Sequence, residues 1–371
     1  MLEGDCGLNR YRACIFGLAL ALAIPALSQQ EQQGTDEKTS FLNYNFTGDI
    51  SSGVNLDRPG ADGETLRNVD LDTNRFNLGA VNFMVEHVGQ TFGFHLESGF
   101  GKSFDANIAS DPWSGPNRYI GQAYVTYKPL KGTPLEFDFG KFYTSAGAEV
   151  VDPENDYQYS RSLLFELGEP IYHFGLRASA PVTRTLTAGI QVVSGWDDVV
   201  DNNGGKTLGF TTEWKHAKWS WANVYYVGPE KIGSNRGDRH LANSVFHFTP
   251  NSFVHAYVEG LYGYENRITM GHDDWYGVAG AVRFSVTKRL TLSPRTEWFS
   301  DPTGFRTGEI QDLFEVTGTA DYHMSRHIIA RAEFRHDQSD TPYFERGEDE
   351  PLARTQNVAM IALLFNWKGG E

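Results

Sequence analysis

The chain has 371 residues, with 47 Asp and Glu against 32 Lys and Arg for a net charge of −15, and it is rich in Gly (39) and Phe (25). That acidic balance excludes nucleic acid as a partner and argues against recruitment to an anionic membrane surface, since both need a basic face. Charged residues at 21%, a mean hydropathy of −0.42 and few continuous apolar runs suit strands with one apolar and one wet face better than a Leu/Val/Ile core.

Residues 1–28 read as a secretory signal. Arg10 and Arg12 form its basic part, Cys14 to Leu27 its apolar run, and Ala26-Leu27-Ser28 a small-x-small cleavage site before Gln29. The apolar run is shorter than the ~20 residues a spanning helix needs. Cys6 and Cys14 are the two cysteines, so removal of this segment leaves a mature chain without thiol catalysis, disulfides or cysteine-ligated metal. Residues 29–39 are polar and read as a flexible lead-in. Nothing after residue 28 resembles a transmembrane helix, so an exported chain of this kind is periplasmic, secreted or an outer-membrane barrel, and its strands must decide.

From residue 40 to 371 the pattern predicts one all-β domain of about sixteen strands, each of roughly 9–14 residues, long enough for a tilted transmembrane strand. The expected spans are 41–51, 76–87, 91–101, 118–128, 133–144, 170–180, 185–196, 206–215, 219–228, 240–249, 252–264, 275–286, 289–300, 312–323, 327–337 and 356–368. Tight connections such as Val88-Gly89-Gln90, Pro250-Asn251 and Thr287-Lys288 alternate with long ones, at 52–75, 102–117, 145–169, 197–205, 229–239, 265–274, 301–311 and 338–355. Short turns at one end and long loops at the other are the signature of an antiparallel outer-membrane β-barrel, with periplasmic turns and extracellular loops. An even strand number puts both ends of the barrel chain on the periplasmic side.

Within strands the period is two. In 327–337, Ile328, Ala330, Ala332 and Phe334 alternate with Arg331, Glu333 and Arg335; in 312–323, Phe314, Val316 and Gly318 alternate with Glu315, Thr317 and Thr319. The charged set is too dense for a dry core, because burying Arg331, Glu333 and Arg335 unpaired costs several kcal/mol each. A water-filled lumen removes that cost. The apolar set then faces lipid, with Tyr127, Trp214, Trp219, Tyr264, Trp298, Tyr322 and Trp367 as interface girdles.

The stretch 145–169 breaks the alternation. It is long, acidic and aromatic, and by position it is the third long loop. Two arrangements fit it. It can fold into the barrel, where Glu149, Asp152, Glu154, Asp156, Tyr157 and Arg161 form a pore constriction. The strand parity then gives Arg177, Arg283, Arg295, Arg331 and Arg335 as a basic lumen wall, and a transverse field selects solutes by charge. Alternatively it is an extracellular cap held by Tyr157, Tyr159 and Arg161.

Three segments carry a family resemblance: Gly140-Lys141-Phe142-Tyr143-Thr144-Ser145-Ala146-Gly147-Ala148-Glu149, Asn155-Asp156-Tyr157-Gln158-Tyr159-Ser160-Arg161-Ser162-Leu163-Leu164-Phe165, and Pro170-Ile171-Tyr172-His173-Phe174-Gly175-Leu176-Arg177. With Val192-Val193-Ser194-Gly195-Trp196-Asp197 and the Asp201-Asn202-Asn203-Gly204-Gly205-Lys206-Thr207 turn, the chain resembles the OmpL-like family of outer-membrane β-barrel porins, most sharply over 135–215. The resemblance implies a porin-like barrel in the bacterial outer membrane.

Enzyme readings find little to stand on. Ser160 is not in a Gly-x-Ser-x-Gly elbow, no His-Glu-x-x-His is present, and His272-Asp273-Asp274 reads as a solvated turn. Asp152-Pro153-Glu154-Asn155-Asp156 has alternating oxygen ligands, but it lacks the glycine and terminal glutamate of a calcium loop and carries Pro153. The expectation is therefore no catalytic residue, no metal and no cofactor. The expected function is passive diffusion of small hydrophilic solutes, with outer-membrane lipid as surroundings and a homotrimer as an assembly common in this class. The alternatives are a non-conducting structural or adhesin-type barrel, and a hydrolase sited at the barrel rim.

Overall fold

The structure is a computed structural model that describes residues 41–57, 73–108, 115–129, 134–347 and 350–370. The signal peptide and lead-in expected over 1–39 lie outside the described residues, as do parts of the expected loops at 52–75, 102–117 and 338–355.

Sixteen strands occur among the described residues: β1 (Asn43–Asn55), β2 (Phe76–His87), β3 (Phe92–Phe100), β4 (Ile120–Tyr127), β5 (Glu136–Tyr143), β6 (Tyr172–Pro181), β7 (Leu186–Val193), β8 (Thr207–His216), β9 (Trp219–Lys231), β10 (Ser234–Asn251), β11 (Val254–Asn266), β12 (His272–Ser285), β13 (Leu290–Asp301), β14 (Gln311–His323), β15 (Ile328–Ser339) and β16 (Thr355–Gly369). Each pairs antiparallel with its sequence neighbours, and β1 pairs with β16 from Tyr44↔Gly369 to Asn55↔Val358, which closes the barrel. Closure leaves no open edge, the condition for a sheet in lipid, where an unpaired backbone group costs several kcal/mol.

The period of two decides which side chains face which medium. On β14, Gln311, Leu313, Glu315, Thr317, Thr319 and Asp321 are buried, while Phe314 and Val316 stay exposed at 43% and 41%. The exposed apolar set faces outward, where lipid removes the penalty that water would impose. Aromatic contacts ring the outside near both strand ends. Phe92 stacks on Tyr127, Trp214 on Trp221, and His327 on Trp367 at the short-turn end; Tyr262 stacks on Tyr276, which leans on Trp298, at the other.

Two expectations need correction. The loop expected over 229–239 is largely strand: β9 and β10 continue past the apolar pattern and turn only at Ile232-Gly233, with Gly233 at φ +70°. Backbone pairing does not stop where the lipid-facing alternation stops, so a hairpin of polar residues extends the wall there. The lumen is also not uniformly wet. Leu241, Leu261, Trp275, Phe299 and Leu313 point inward and are buried in one apolar cluster. On β16, both faces are apolar, with Val358, Met360, Ala362 and Leu364 buried and Ile361 and Leu363 exposed.

Candidate functional site

Residues 145–169 leave β5 and run against inward-facing side chains of strands on both sides of the β1/β16 seam. The first part is held through its backbone amides. Ser145 N donates to the Tyr226 hydroxyl (3.2 Å), Gly147 N to Asn243 Oδ1 (3.1 Å) and Ala148 N to Glu259 Oε2 (3.0 Å), from β9, β10 and β11. Gly147 sits at φ +85°, and a Cβ there would fall 2.0 Å from Glu169 Oε1, so glycine lets the two ends of the loop meet.

Glu149 is the next fixed point. Its carboxylate accepts from Arg295 Nη1 on β13 (2.6 Å), from the Tyr257 hydroxyl (3.2 Å) and from Ser162 N of the returning limb (2.7 Å). Glu149 thereby ties both limbs of the loop to the wall.

At the tip, Arg331 of β15 donates to the carbonyls of Pro153 (2.9 Å), Gln158 (2.7 Å) and Asp156 (3.1 Å), while Asn82 of β2 donates to Asp152. Arg161 closes the turn from inside: it donates to the carbonyls of Val150, Val151 and Tyr159 and pairs with Asp156 at 3.2 Å. Arg283 donates to the Asp156 carbonyl and stacks 4.3 Å over the Tyr157 ring.

On the return, Glu333 accepts both Tyr159 N (2.7 Å) and Ser160 N (2.9 Å), and the Tyr159 hydroxyl donates to Asp49 of β1 (2.5 Å). Leu163 N donates to Glu297 (2.7 Å), and Arg335 Nη1 to the Arg161 carbonyl (2.5 Å). The loop then ends in a π-helical turn, Leu164–Gly168, whose Gly168 carbonyl accepts from Trp275 Nε1 at 2.9 Å. Leu163, Leu164 and Leu167 join the apolar cluster with Trp275 and Phe299, each such side chain contributing about 1.5–3 kcal/mol on burial. On the loop's other side Val151 and Phe165 pack together, with Ala106 of α1 (Lys102–Ile108) against them.

The candidate residues from the sequence therefore fall into three groups. Glu149, Asp156 and Arg161 are buried at 5%, 4% and 1% exposure, together with Arg295, Arg331 and Arg335 at 1%, 2% and 1%. Asp152, Glu154, Tyr157 and Arg283 are half-buried. Arg177 stands apart: it pairs with Asp138 of β5 at 2.8 Å and stacks on Tyr124 and Phe142.

The buried arginines are satisfied differently from the expectation of a wet lumen. Arg331 pairs with Asp321 (2.6 Å) and Arg335 with Asp337 (2.8 Å), both on the wall, and Nη1 of each reaches loop carbonyls. Pairing and carbonyl capture replace water in offsetting the desolvation of these guanidinium groups. Glu297, Glu259 and Asp49 are partners that the sequence did not single out, and Glu333, though placed on the wet face, was not recognised as a partner of the loop. The signal for Glu333 was present in the alternation of β15, which sends it inward between Arg331 and Arg335.

Electrostatics at the tip favour neutral acids. Burial, then the neighbouring Glu154 and Glu97 carboxylates, push Asp152 well above the usual carboxylate range. Burial, then the nearby Asp49 carboxylate, raises Glu154 to about 7. No group of three or more His, Cys, Asp or Glu among the described residues is arranged to hold a metal ion.

A family model described as "Putative beta-barrel porin-2, OmpL-like" matches residues 43–367. The sequence matches no curated protein. Among solved structures, the fold is similar to the anion-selective porin from Comamonas acidovorans (9% identity, 88% of this chain and all of that one covered, TM-score 0.60). It is also similar to OmpT of Vibrio cholerae in a trimer form (12% identity, 89% and 100% covered, TM-score 0.59). The outer membrane channel DcaP of Acinetobacter baumannii is a third (13% identity, 88% and 96% covered, TM-score 0.57). At these identities the likeness is one of fold.

Proposed function

The chain belongs to the OmpL-like β-barrel porin-2 family, and from that premise we propose that it is an outer-membrane channel for passive diffusion of small hydrophilic solutes, narrowed by residues 145–169. The observation that carries this reading is the set of hydrogen bonds from that loop to inward-facing Asn243, Glu259, Arg295, Arg331 and Glu333. A loop so bound occupies part of the barrel's cross-section.

The passage we propose runs between the partly buried face of the loop, with Glu154 and Tyr157, and the inward side chains Glu86, His95, Tyr124, Arg177 and Glu213, which are likewise only partly buried. Selectivity then comes from this uncovered wall and the tip, whereas Arg295, Arg331 and Arg335 hold the loop in place. We propose export through a cleaved signal at 1–28, and a homotrimer on the fold likeness to the trimer form of OmpT.

Planar-bilayer recording tests the channel: stepwise, ohmic conductance from folded, inserted protein is expected, and its absence would sink the reading. A closed barrel is the second reading, and one observation favours it: the apolar cluster around Trp275 and Phe299 fills part of the lumen with dry side chains. It predicts an inserted barrel with no current.

A further inference from the structure

We propose that the short-turn mouth of the barrel carries a binding site for a small dissolved oxyanion of the phosphate class. The site is a recess of about 510 Å³ between the β12–β13 and β14–β15 turns, with Lys288, Arg289 and Arg326 around it and Ser285, Thr291 and His323 at its inner side. In outer-membrane barrels the short-turn end faces the periplasm.

Three observations carry this. First, the cations face no acid. In a chain of net charge −15, Lys288, Arg289 and Arg326 have no carboxylate within salt-bridge distance among the described residues, and Arg326 spends only Nε, on His327 Nε2 at 2.8 Å, leaving its two terminal nitrogens for a ligand. Second, the Thr291 hydroxyl borders the recess, is 8% exposed and has no hydrogen-bond partner among the described residues. A buried hydroxyl without a partner is unfavourable, and an oxyanion accepting its hydrogen bond would relieve that.

Third, the scaffold is fixed. Arg289 N and Leu290 N donate to Thr287 Oγ1 at 3.1 and 3.0 Å, and His327 N donates to Ser325 Oγ at 3.1 Å. His323 N donates to the Arg289 carbonyl at 2.8 Å, which locks one turn to the other. Cationic side chains on rigid turns, with hydroxyl donors behind them, match the several acceptor oxygens of a tetrahedral oxyanion.

The strand period sets Ser285, Thr291 and His323 on the inward side, with Arg283 and Ser293, so the recess opens to the lumen mouth rather than to lipid. That orientation favours a dissolved solute over a lipid headgroup. A role in concentrating anionic solutes at this mouth rests on the channel reading above; binding itself does not.

The test is calorimetric titration of inorganic phosphate into the detergent-folded protein in a buffer free of other oxyanions. Heat-modifiable electrophoretic mobility verifies the fold of each variant. Saturable binding is expected, weakened at least tenfold in Arg289→Gln/Arg326→Gln and severalfold in Thr291→Val. Absence of saturable binding, or equal binding in the folded double variant, would overturn the site. Repeating the titration in phosphatidylglycerol and phosphatidylcholine nanodiscs separates the sources. Equal phosphate binding in both supports a solute site, and competition by phosphatidylglycerol would overturn it in favour of a headgroup. A protein that binds phosphate but carries no current would keep this site and remove the channel reading.

Discussion

Arg295 on β13 and Glu149 in the loop form a 2.6 Å ion pair with both side chains almost fully buried. Arg295 also lies 3.2 Å from Glu315 and donates to the Ser160 carbonyl at 2.7 Å, so one guanidinium joins the wall to both limbs of the loop. Removing one partner of such a pair typically costs about 3–5 kcal/mol, because the other charge is left buried and uncompensated. Arg295→Gln is therefore expected to undock the loop while the strand ladder persists. Limited proteolysis should cut within 145–169 in the variant and leave wild type intact at the same protease dose.

Glu333 supports the returning limb by accepting two adjacent amides, Tyr159 N and Ser160 N, and the Thr319 hydroxyl. Glu333→Gln keeps one acceptor oxygen and turns an NH2 group toward an amide donor. The expected loss is about 1–3 kcal/mol of loop docking for the unsatisfied donor. Single-channel records of the variant should show more frequent current fluctuations than wild type at equal voltage.

The acids at the tip give the loop a pH dependence of defined sign. Glu154 is raised from its ordinary 4.5 to about 7 in the docked loop, so the docked state binds its proton more tightly than the free loop does. The stabilisation is complete in acid, below the ordinary value, and is lost as pH rises through about 7. Current fluctuations should increase from pH 5 to pH 8.5 in wild type, and Glu154→Gln should reduce that dependence, with Asp156, which burial also raises to about 7, carrying the remainder. A dependence unchanged in the variant would assign the effect to another group.

Arg177 and Arg295 are predicted to behave differently although the sequence places both on the lumen wall. Arg177 keeps 12% of its side chain exposed and pairs across β5 and β6 with Asp138, whereas Arg295 is sealed beneath the loop. Arg177→Gln should shift the reversal potential in a salt gradient toward cation preference without changing protease resistance. If reversal potential follows Arg295 and not Arg177, the passage lies on the other side of the loop from the one proposed.

The fold was legible because lipid and lumen impose opposite demands on alternate residues. β14 and β15 carry that alternation over their whole length, and loop parity followed from the tight turns between them. The β9–β10 extension was not legible, since beyond the lipid no medium forces alternation on a paired backbone. The loop's acidity and aromatic content marked it as special, and parity put Arg295 and Arg331 on the wall. What remained hidden was how the charges are satisfied. Asp49, Asn82 and Asn243 lie far from the loop in sequence and meet it only through barrel closure, so nothing local announces them. The inward-facing Trp275 and Phe299 were hidden for a related reason: an apolar residue in a barrel strand reads as lipid-facing until the loop that covers it is in place.

If the channel we propose conducts, the tip of the 145–169 loop borders its open passage, and Tyr157 is the residue that reports on it. Tyr157 is half-buried, stacked under Arg283 and in contact with Tyr257. In planar bilayers, a Tyr157→Cys channel treated with a charged methanethiosulfonate reagent should lose current in discrete steps as each thiol is modified. Current that stays constant while mass spectrometry shows the thiol fully labelled would mean that the loop tip does not border the passage.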